Sequence, residues 1–165
     1  IGTGSGCILL SILKELNFSK GIGIDISARA IKTAITNSKR LRLINNSKFI
    51  VASLDNFYLG KYDLIVSNPP YLSKKDYEQT SIDIKKYEPK KAFYGGVDGY
   101  YFYRKFSRLL PGIMKMNSHL IIEIGENQAD KCIKIISKSG LKFQKKVQDL
   151  QEKDRILIFS KLNLD

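Results

Sequence analysis

Asn68-Pro69-Pro70-Tyr71 is the stretch of this sequence in which residue types and order come closest to dictating a chemistry. Each proline locks φ at about −65° and lacks a backbone N–H. The result is a stiff corner whose available polar atoms are acceptors, the Asn68 side-chain oxygen and the Pro69 carbonyl. Two acceptors suit a planar –NH2 group, one for each hydrogen, with Tyr71 packed on its face. A turn with no ligand is the plain alternative, since an Asn-Pro step favours one by itself.

Gly2-Thr3-Gly4-Ser5-Gly6 stands at the start of a helical pattern. Glycines there let a ligand approach the backbone, and a helix start favours negative charge. A dinucleotide fingerprint would need glycine at position 7, where this chain has Cys7. A tight turn without a ligand would use the same glycines. Asp25 lies about twenty residues on, at the carboxyl tip of a short apolar strand, where a carboxylate can accept both hydroxyls of a ribose. It can equally begin the helix capped by Ser27, whose positive end it would favour. Glycine turn and acid together point to a nucleoside-containing cofactor.

Strands and helices must alternate to position these residues. Ile8, Leu9, Ile12, Leu13 and Leu16 predict a helix from Ser5 to about Leu16. Gly21–Asp25 reads as a strand, then a helix runs from Ser27 to about Leu43 with Ala30, Ile31, Ala34 and Ile35 inward. Phe49–Ala52 and Tyr62–Ser67 are further strands. A polar connection of about thirty residues, Asn68 to Asp98, is long enough to be functional or an insertion. Tyr100, Tyr103, Phe106 and Leu110 predict a helix over Gly99–Leu110, ended by Pro111-Gly112. Ser118–Ile124 is a strand, Ala129–Ser139 a helix closed by Gly140, and Phe143–Asp149 and Arg155–Lys161 two final strands. This order predicts an α/β fold, a mostly parallel twisted sheet with helices on both faces and a C-terminal antiparallel hairpin. Ligands of such sheets bind beyond the carboxyl ends of the strands, the edge to which Gly2–Gly6, Asp25 and Asn68 all fall.

The composition sets bounds. With 165 residues and 43% hydrophobic content, the chain suits one domain over 1–165 and excludes a disordered tail. No apolar run reaches the roughly 18–20 residues of a membrane span, and no signal peptide is visible, so a cytoplasmic protein is expected. Cys7 and Cys132 have neither disulfide-framework nor metal-ligand spacing, so both are expected as small free hydrophobes and no metal site is predicted. His119 is expected at a strand end. The formal charge of +12 suits an anionic partner such as RNA or the ribosome, and a general bias toward Ile, Asn and Lys accounts for it equally well. No aromatic–basic recognition motif appears, so no specific nucleic acid is predicted. The start at Ile1, inside the glycine motif, reads as a piece of a longer polypeptide.

The order of these motifs resembles that of class I S-adenosylmethionine-dependent methyltransferases, which implies a Rossmann-like fold. More narrowly, it resembles the HemK/PrmC family, the N5-glutamine methyltransferases of peptide chain release factors. G-T-G-S-G at Gly2–Gly6, G-I-D at Gly23–Asp25 and N-P-P-Y at Asn68–Tyr71 are followed by E-P at Glu88-Pro89 and F-x-G-G-x-D-G at Phe93–Gly99. E-I-G at Glu123–Gly125 and D-L…D-R at Asp149, Leu150, Asp154 and Arg155 complete the series. N-P-P-Y is shared with nucleic-acid amino-methyltransferases, while the E-P and G-G-x-D-G segments narrow the likeness to the protein-glutamine branch.

The resemblance implies S-adenosylmethionine as cofactor, held by Gly2, Thr3, Gly4, Gly6, Asp25 and Asn68, with Asp25 on the ribose. It implies that Asn68, Pro69, Pro70 and Tyr71 bind the glutamine amide of a Gly-Gly-Gln motif, with Asn68, Pro69 and Tyr71 carrying catalysis. Class I release factors would then be the partners, with ribosome association a further expectation. The family's strand and acid ahead of the glycine motif are absent, as is its N-terminal helical domain. That first strand would lie centrally, beside the Asp25 and Asn68 strands. Ser53–Phe57 is shorter than the family's acidic turn at the adenine, leaving Asp55 as its candidate. The rival readings are a ribosomal-protein glutamine methyltransferase, a nucleic-acid amino-methyltransferase, and an inactive truncated remnant.

Overall fold

The computed structural model describes residues 1–79 and 92–162. The chain forms two compact units, Ile1–Tyr58 and Leu59–Asp165. In the first, α1 (Cys7–Glu15), β1 (Gly21–Asp25), α2 (Ala28–Arg40) and β2 (Ser47–Val51) follow one another, then a single 3-10 turn at Leu54–Asn56. β1 and β2 pair in parallel, from Gly21 opposite Ser47 to Asp25 opposite Val51. β1 has the bounds its apolar run and terminal acid predict, whereas β2 begins at Ser47, ahead of the expected Phe49.

Ser27 caps α2 as expected, its hydroxyl accepting from the Ala30 N–H at 3.2 Å. The helix stops at Arg40, short of the predicted Leu43. Arg42 turns to φ 59°, the Leu43 N–H donates to Ser38 and the Arg42 N–H to Lys39. This is a Schellman stop built without the glycine that would have announced it. In α1 the face is also corrected. Leu10 and Leu13 are buried, while Ile8 and Leu16 of the predicted stripe are 45% and 51% exposed. Leu9 and Leu13 of that stripe pack on Gly21, where a Cβ would lie 2.4 Å from Leu9 Cδ1 and 3.4 Å from Leu13 Cδ1, whereas Leu10 packs against Gly6, where a Cβ would lie 3.2 Å from Leu10 Cδ1.

The second unit contains β3 (Tyr62–Ser67), α3 (Lys74–Gln79), α4 (Tyr101–Ile113), β4 (Met114–Glu123), α5 (Ala129–Ser137), β5 (Lys142–Gln148) and β6 (Asp154–Lys161). Its sheet runs β3-β4-β6-β5, with β3–β4 parallel and the other pairs antiparallel. The expected C-terminal hairpin is therefore present. Among the described residues the strands form two sheets rather than one, and β1 and β3 each pair with a single strand. The core is Tyr103, Phe106, Leu110, Met114, Leu120, Ile122, Leu157 and Phe159, all fully or almost fully buried.

Several expectations change here. The polar connection is not structureless. Ser73 caps α3, with its Oγ accepting the Asp76 N–H at 3.1 Å, and Leu72 bridges Tyr94. Pro111 lies inside α4 rather than ending it, because buried Ile113 and Met114 hold the last turn to the core. Lys161 Nζ donates to the Pro111 carbonyl at 2.7 Å. β5 is largely exposed and rich in lysine, which suits an edge strand, not one covered on both faces. His119 sits exposed within β4 instead of at a strand end. Cys132 is buried, its thiol pushed up to about 12 by desolvation, whereas Cys7 is exposed and not the small core hydrophobe expected. No helix among the described residues is long and apolar enough to cross a membrane.

Candidate functional site

In the first unit, Gly2, Gly4 and Gly6 all adopt left-handed φ, at 65°, 55° and 81°. They differ in what surrounds them. A Cβ on Gly2 or Gly4 would meet nothing within 4 Å, so both leave open backbone. A Cβ on Gly6 would press on Ala34 and Phe49 at 3.1 Å and on Leu10 at 3.2 Å, so this glycine also lets α1, α2 and β2 close up. The Thr3 N–H donates to the Ile24 carbonyl at 2.9 Å, which ties the turn to β1.

Asp25 joins the two ends of this half-site. Its Oδ2 accepts the Gly4 N–H at 2.9 Å and its Oδ1 accepts the Ser27 N–H, also at 2.9 Å. The acid thus starts α2 and braces the glycine turn at once. Each carboxylate oxygen carries a second lone pair, so two acceptor positions remain after both bonds. Open backbone at Gly2 and Gly4 beside a partly exposed, doubly accepting carboxylate fits a ribose-bearing cofactor. Asp55 is turned to Ser53, whose Oγ donates to its Oδ2 at 2.8 Å.

In the second unit the Asn68–Tyr71 corner follows β3 directly, all its peptides being trans. Asn68 is exposed, Pro69 buried, and Pro70 and Tyr71 half-buried. The F-x-G-G-x-D-G segment is folded on the corner's backbone. The Leu72 N–H donates to Phe93 at 2.9 Å and the Gly95 N–H returns to Leu72 at 2.8 Å. A Cβ on Gly95 would lie 2.7 Å from the Pro70 carbonyl oxygen, and one on Gly99 2.6 Å from that of Tyr71. Glycine is required at both positions because two backbones touch.

Asp98 holds the same segment in shape. Arg104 grips it through two nitrogens at 2.9 and 2.8 Å, the Tyr100 N–H donates to it at 3.2 Å, and Lys131 stands 3.6 Å away. The Arg104 hydrogen bonds keep this carboxyl far below the usual carboxylate range. The folded protein therefore binds the Asp98 proton more weakly than the unfolded chain does. Its stabilisation is complete at neutral pH and is lost as pH falls through the carboxylate range and below it. Asp63, Asp149 and Asp154 are lowered in the same direction by Lys115, Arg155 and Lys146, so a variant is needed to isolate Asp98. With side chains 50% and 40% exposed, the Arg104–Asp98 pair should contribute about 1 kcal/mol or less. Thermal melts should show Asp98→Asn less stable than wild type at neutral pH, the gap closing in acid. A gap that stays constant with pH would refute the assignment.

Gln128 is the residue whose part the sequence motifs did not announce. It is buried at the start of α5, and its Nε2 donates to the Tyr71 carbonyl at 3.0 Å. Its only signal in the sequence is an amide three residues after E-I-G, at the head of an apolar helix. Arg155 of the D-R pair donates through Nε to Asp149 at 2.8 Å, while Leu150 is fully exposed. Glu88-Pro89 lies outside the described residues. Gly2, Thr3, Gly4, Gly6 and Asp25 thus come together in the first unit, and Asn68, Pro69, Pro70 and Tyr71 form one corner of the second.

Residues 1–155 match the family described as methyltransferase domain. The chain is 42% identical over 165 residues to a release factor glutamine methyltransferase of Fusobacterium nucleatum, covering 98% of this chain and 46% of that protein. It is 36% identical over 166 residues to a bifunctional methyltransferase of Rickettsia typhi, covering 100% of this chain and 32% of that protein. The chain therefore spans at most about half the length of these relatives. Among solved structures, the ribosomal protein L11 methylase of Lactobacillus delbrueckii subsp. bulgaricus superposes with a TM-score of 0.68, over 98% of this chain and 68% of that one. At 18% identity that likeness is one of fold, a Rossmann-like class I methyltransferase.

Proposed function

The chain belongs to the methyltransferase-domain family, and from that premise we propose that the protein methylates class I peptide chain release factors in the cytoplasm. The methyl group of S-adenosylmethionine goes to the side-chain amide nitrogen of the glutamine in their Gly-Gly-Gln motif. The observation that carries this proposal is the Asn68–Tyr71 corner, exposed at Asn68, in a chain 42% identical to a release factor glutamine methyltransferase.

S-adenosylmethionine, when bound, supplies an electrophilic methyl carbon on a sulfonium centre. The chain's own groups do the rest. Asp25 accepts the ribose hydroxyls through its two spare acceptor positions, and Gly2 and Gly4 offer open backbone to the methionine part, in a turn that Thr3 and Gly6 hold in shape. An amide nitrogen is a poor nucleophile because its lone pair is delocalised. Asn68 Oδ1 and the Pro69 carbonyl each hold one amide hydrogen, which fixes the nitrogen's orientation, and the Tyr71 ring packs beside it. The same carbonyl dipoles stabilise positive charge as it develops on that nitrogen. One of the two held hydrogens leaves as a proton to water once the nitrogen carries the new carbon and the methyl–sulfur bond is broken, so no titrating base is needed beforehand.

The test is direct. The purified protein, methyl-labelled S-adenosylmethionine and a class I release factor should give one labelled peptide, the one containing Gly-Gly-Gln, with the mass added at its glutamine. Label appearing instead in a ribosomal protein or a nucleic acid, with the release factor unlabelled, would replace this substrate. No label in any of them would favour an inactive domain.

A further inference from the structure

We propose that Gln128 is a positioning residue for the amide-gripping corner, its side-chain amide fixing the Tyr71 carbonyl and through it the angle of the Asn68 and Pro69 acceptors. This rests on the glutamine-methylation proposal above and assigns a further residue to it. The orientation of the Gln128 amide is forced by its partners. A backbone N–H can only donate, so Oε1 faces Gly125 at 3.0 Å; a carbonyl can only accept, so Nε2 faces Tyr71 at 3.0 Å. The Tyr103 hydroxyl lies 3.2 Å from the same Oε1.

The surroundings are shaped around this bond. A Cβ on Gly99 would stand 2.6 Å from the Tyr71 carbonyl oxygen and 2.9 Å from Gln128 Nε2. One on Gly125 would stand 2.8 Å from Tyr71 Cδ2 and 2.9 Å from Gln128 Oε1. Two glycines therefore clear the space in which the amide meets the corner. A buried side-chain amide is expensive unless each of its atoms finds a partner, and here both do.

The corner is short enough for this bond to act at a distance. Ser67 is held in β3 opposite Ile122, and Tyr71 is held by Gln128. Only Asn68, Pro69 and Pro70 lie between, and two of these have φ fixed by their rings. The Tyr71 peptide plane thus limits how far the Pro69 carbonyl and the Asn68 side chain can tilt.

Gln128→Met keeps length, volume and neutrality and removes both the donor to Tyr71 and the acceptor of the Gly125 N–H. Its kcat for release-factor methylation should fall on the order of tenfold to a hundredfold, while KM for the release factor and calorimetric affinity for S-adenosylmethionine stay near wild type. Amide hydrogen exchange at Leu72 and Gly95 should quicken in the same variant. Tyr103→Phe serves as the control, because it loses a hydrogen bond of the same network but leaves the Gln128–Tyr71 bond. It should lower Tm and keep kcat. Should Gln128→Met fail to fold, Gln128→Glu, read at alkaline pH where the carboxyl is ionised, carries the same expectation. Wild-type kcat in a folded Gln128 variant, or equal kcat losses in Gln128→Met and Tyr103→Phe, would overturn the positioning role. Failure of the wild-type protein to label any release factor would instead overturn the substrate proposal.

Discussion

Replacing Asn68 with alanine should slow methyl transfer to a release factor by on the order of a hundredfold to a thousandfold, the usual effect of removing one acceptor or donor aimed at developing charge. The side chain is exposed and makes no hydrogen bond with the described residues. Alanine therefore removes almost nothing from the fold, and Tm should move by no more than a surface substitution moves it, about 0.5 kcal/mol in stability. This separation makes the experiment decisive. At most positions near the corner a lost rate could mean a lost structure, since Pro69 is buried and Tyr71 is bound through its carbonyl to Gln128. Asn68 offers an acceptor oxygen and makes no hydrogen bond with the described residues. Initial rates with labelled cofactor and a thermal melt on the same preparation are the measurements. A wild-type rate in Asn68→Ala would remove the carbonyl grip from the mechanism.

What could be read from the sequence was what local chemistry decides. β1 and β3 have the bounds read for them because each is a short apolar run ended by a polar residue. Ser27 announced its helix because a hydroxyl before an apolar pattern has one good use there. The stop of α2 was not legible, since Arg42 occupies the left-handed position usually given to glycine and pays its strain through two backbone bonds. The burial of Leu10 in α1 was not legible either, because its side chain packs against the bare backbone of Gly6, a contact that the apolar spacing of the helix does not encode. The candidate site divides in the same way. The residues with chemistry, Asn68 and Asp25, stand in recognisable strings. Gly99 and Gly125 stand in strings too, but their part, like that of Gln128, lies in contacts with Tyr71 that no spacing within the chain encodes.

Asp25→Ala should weaken S-adenosylmethionine binding by on the order of a hundredfold, the equivalent of about 2.7 kcal/mol, measured by calorimetry on the purified protein. Hydrogen bonds to a charged group contribute about 1.5–3 kcal/mol each, and alanine removes the acceptor for both ribose hydroxyls. It also strips the acceptor from the Gly4 and Ser27 N–H groups, so the glycine turn and the start of α2 both loosen. Asp25→Asn separates the two contributions. One amide oxygen can still accept from Gly4 or from Ser27, while the –NH2 meets the other N–H as a donor facing a donor. Affinity should therefore fall in the order wild type, Asn, Ala, and Tm should fall in the same order by smaller steps. If Asp25→Ala bound the cofactor as wild type does while its Tm fell, the carboxylate would be only the brace between turn and helix. The open backbone at Gly2 and Gly4 would then have to hold the cofactor without it.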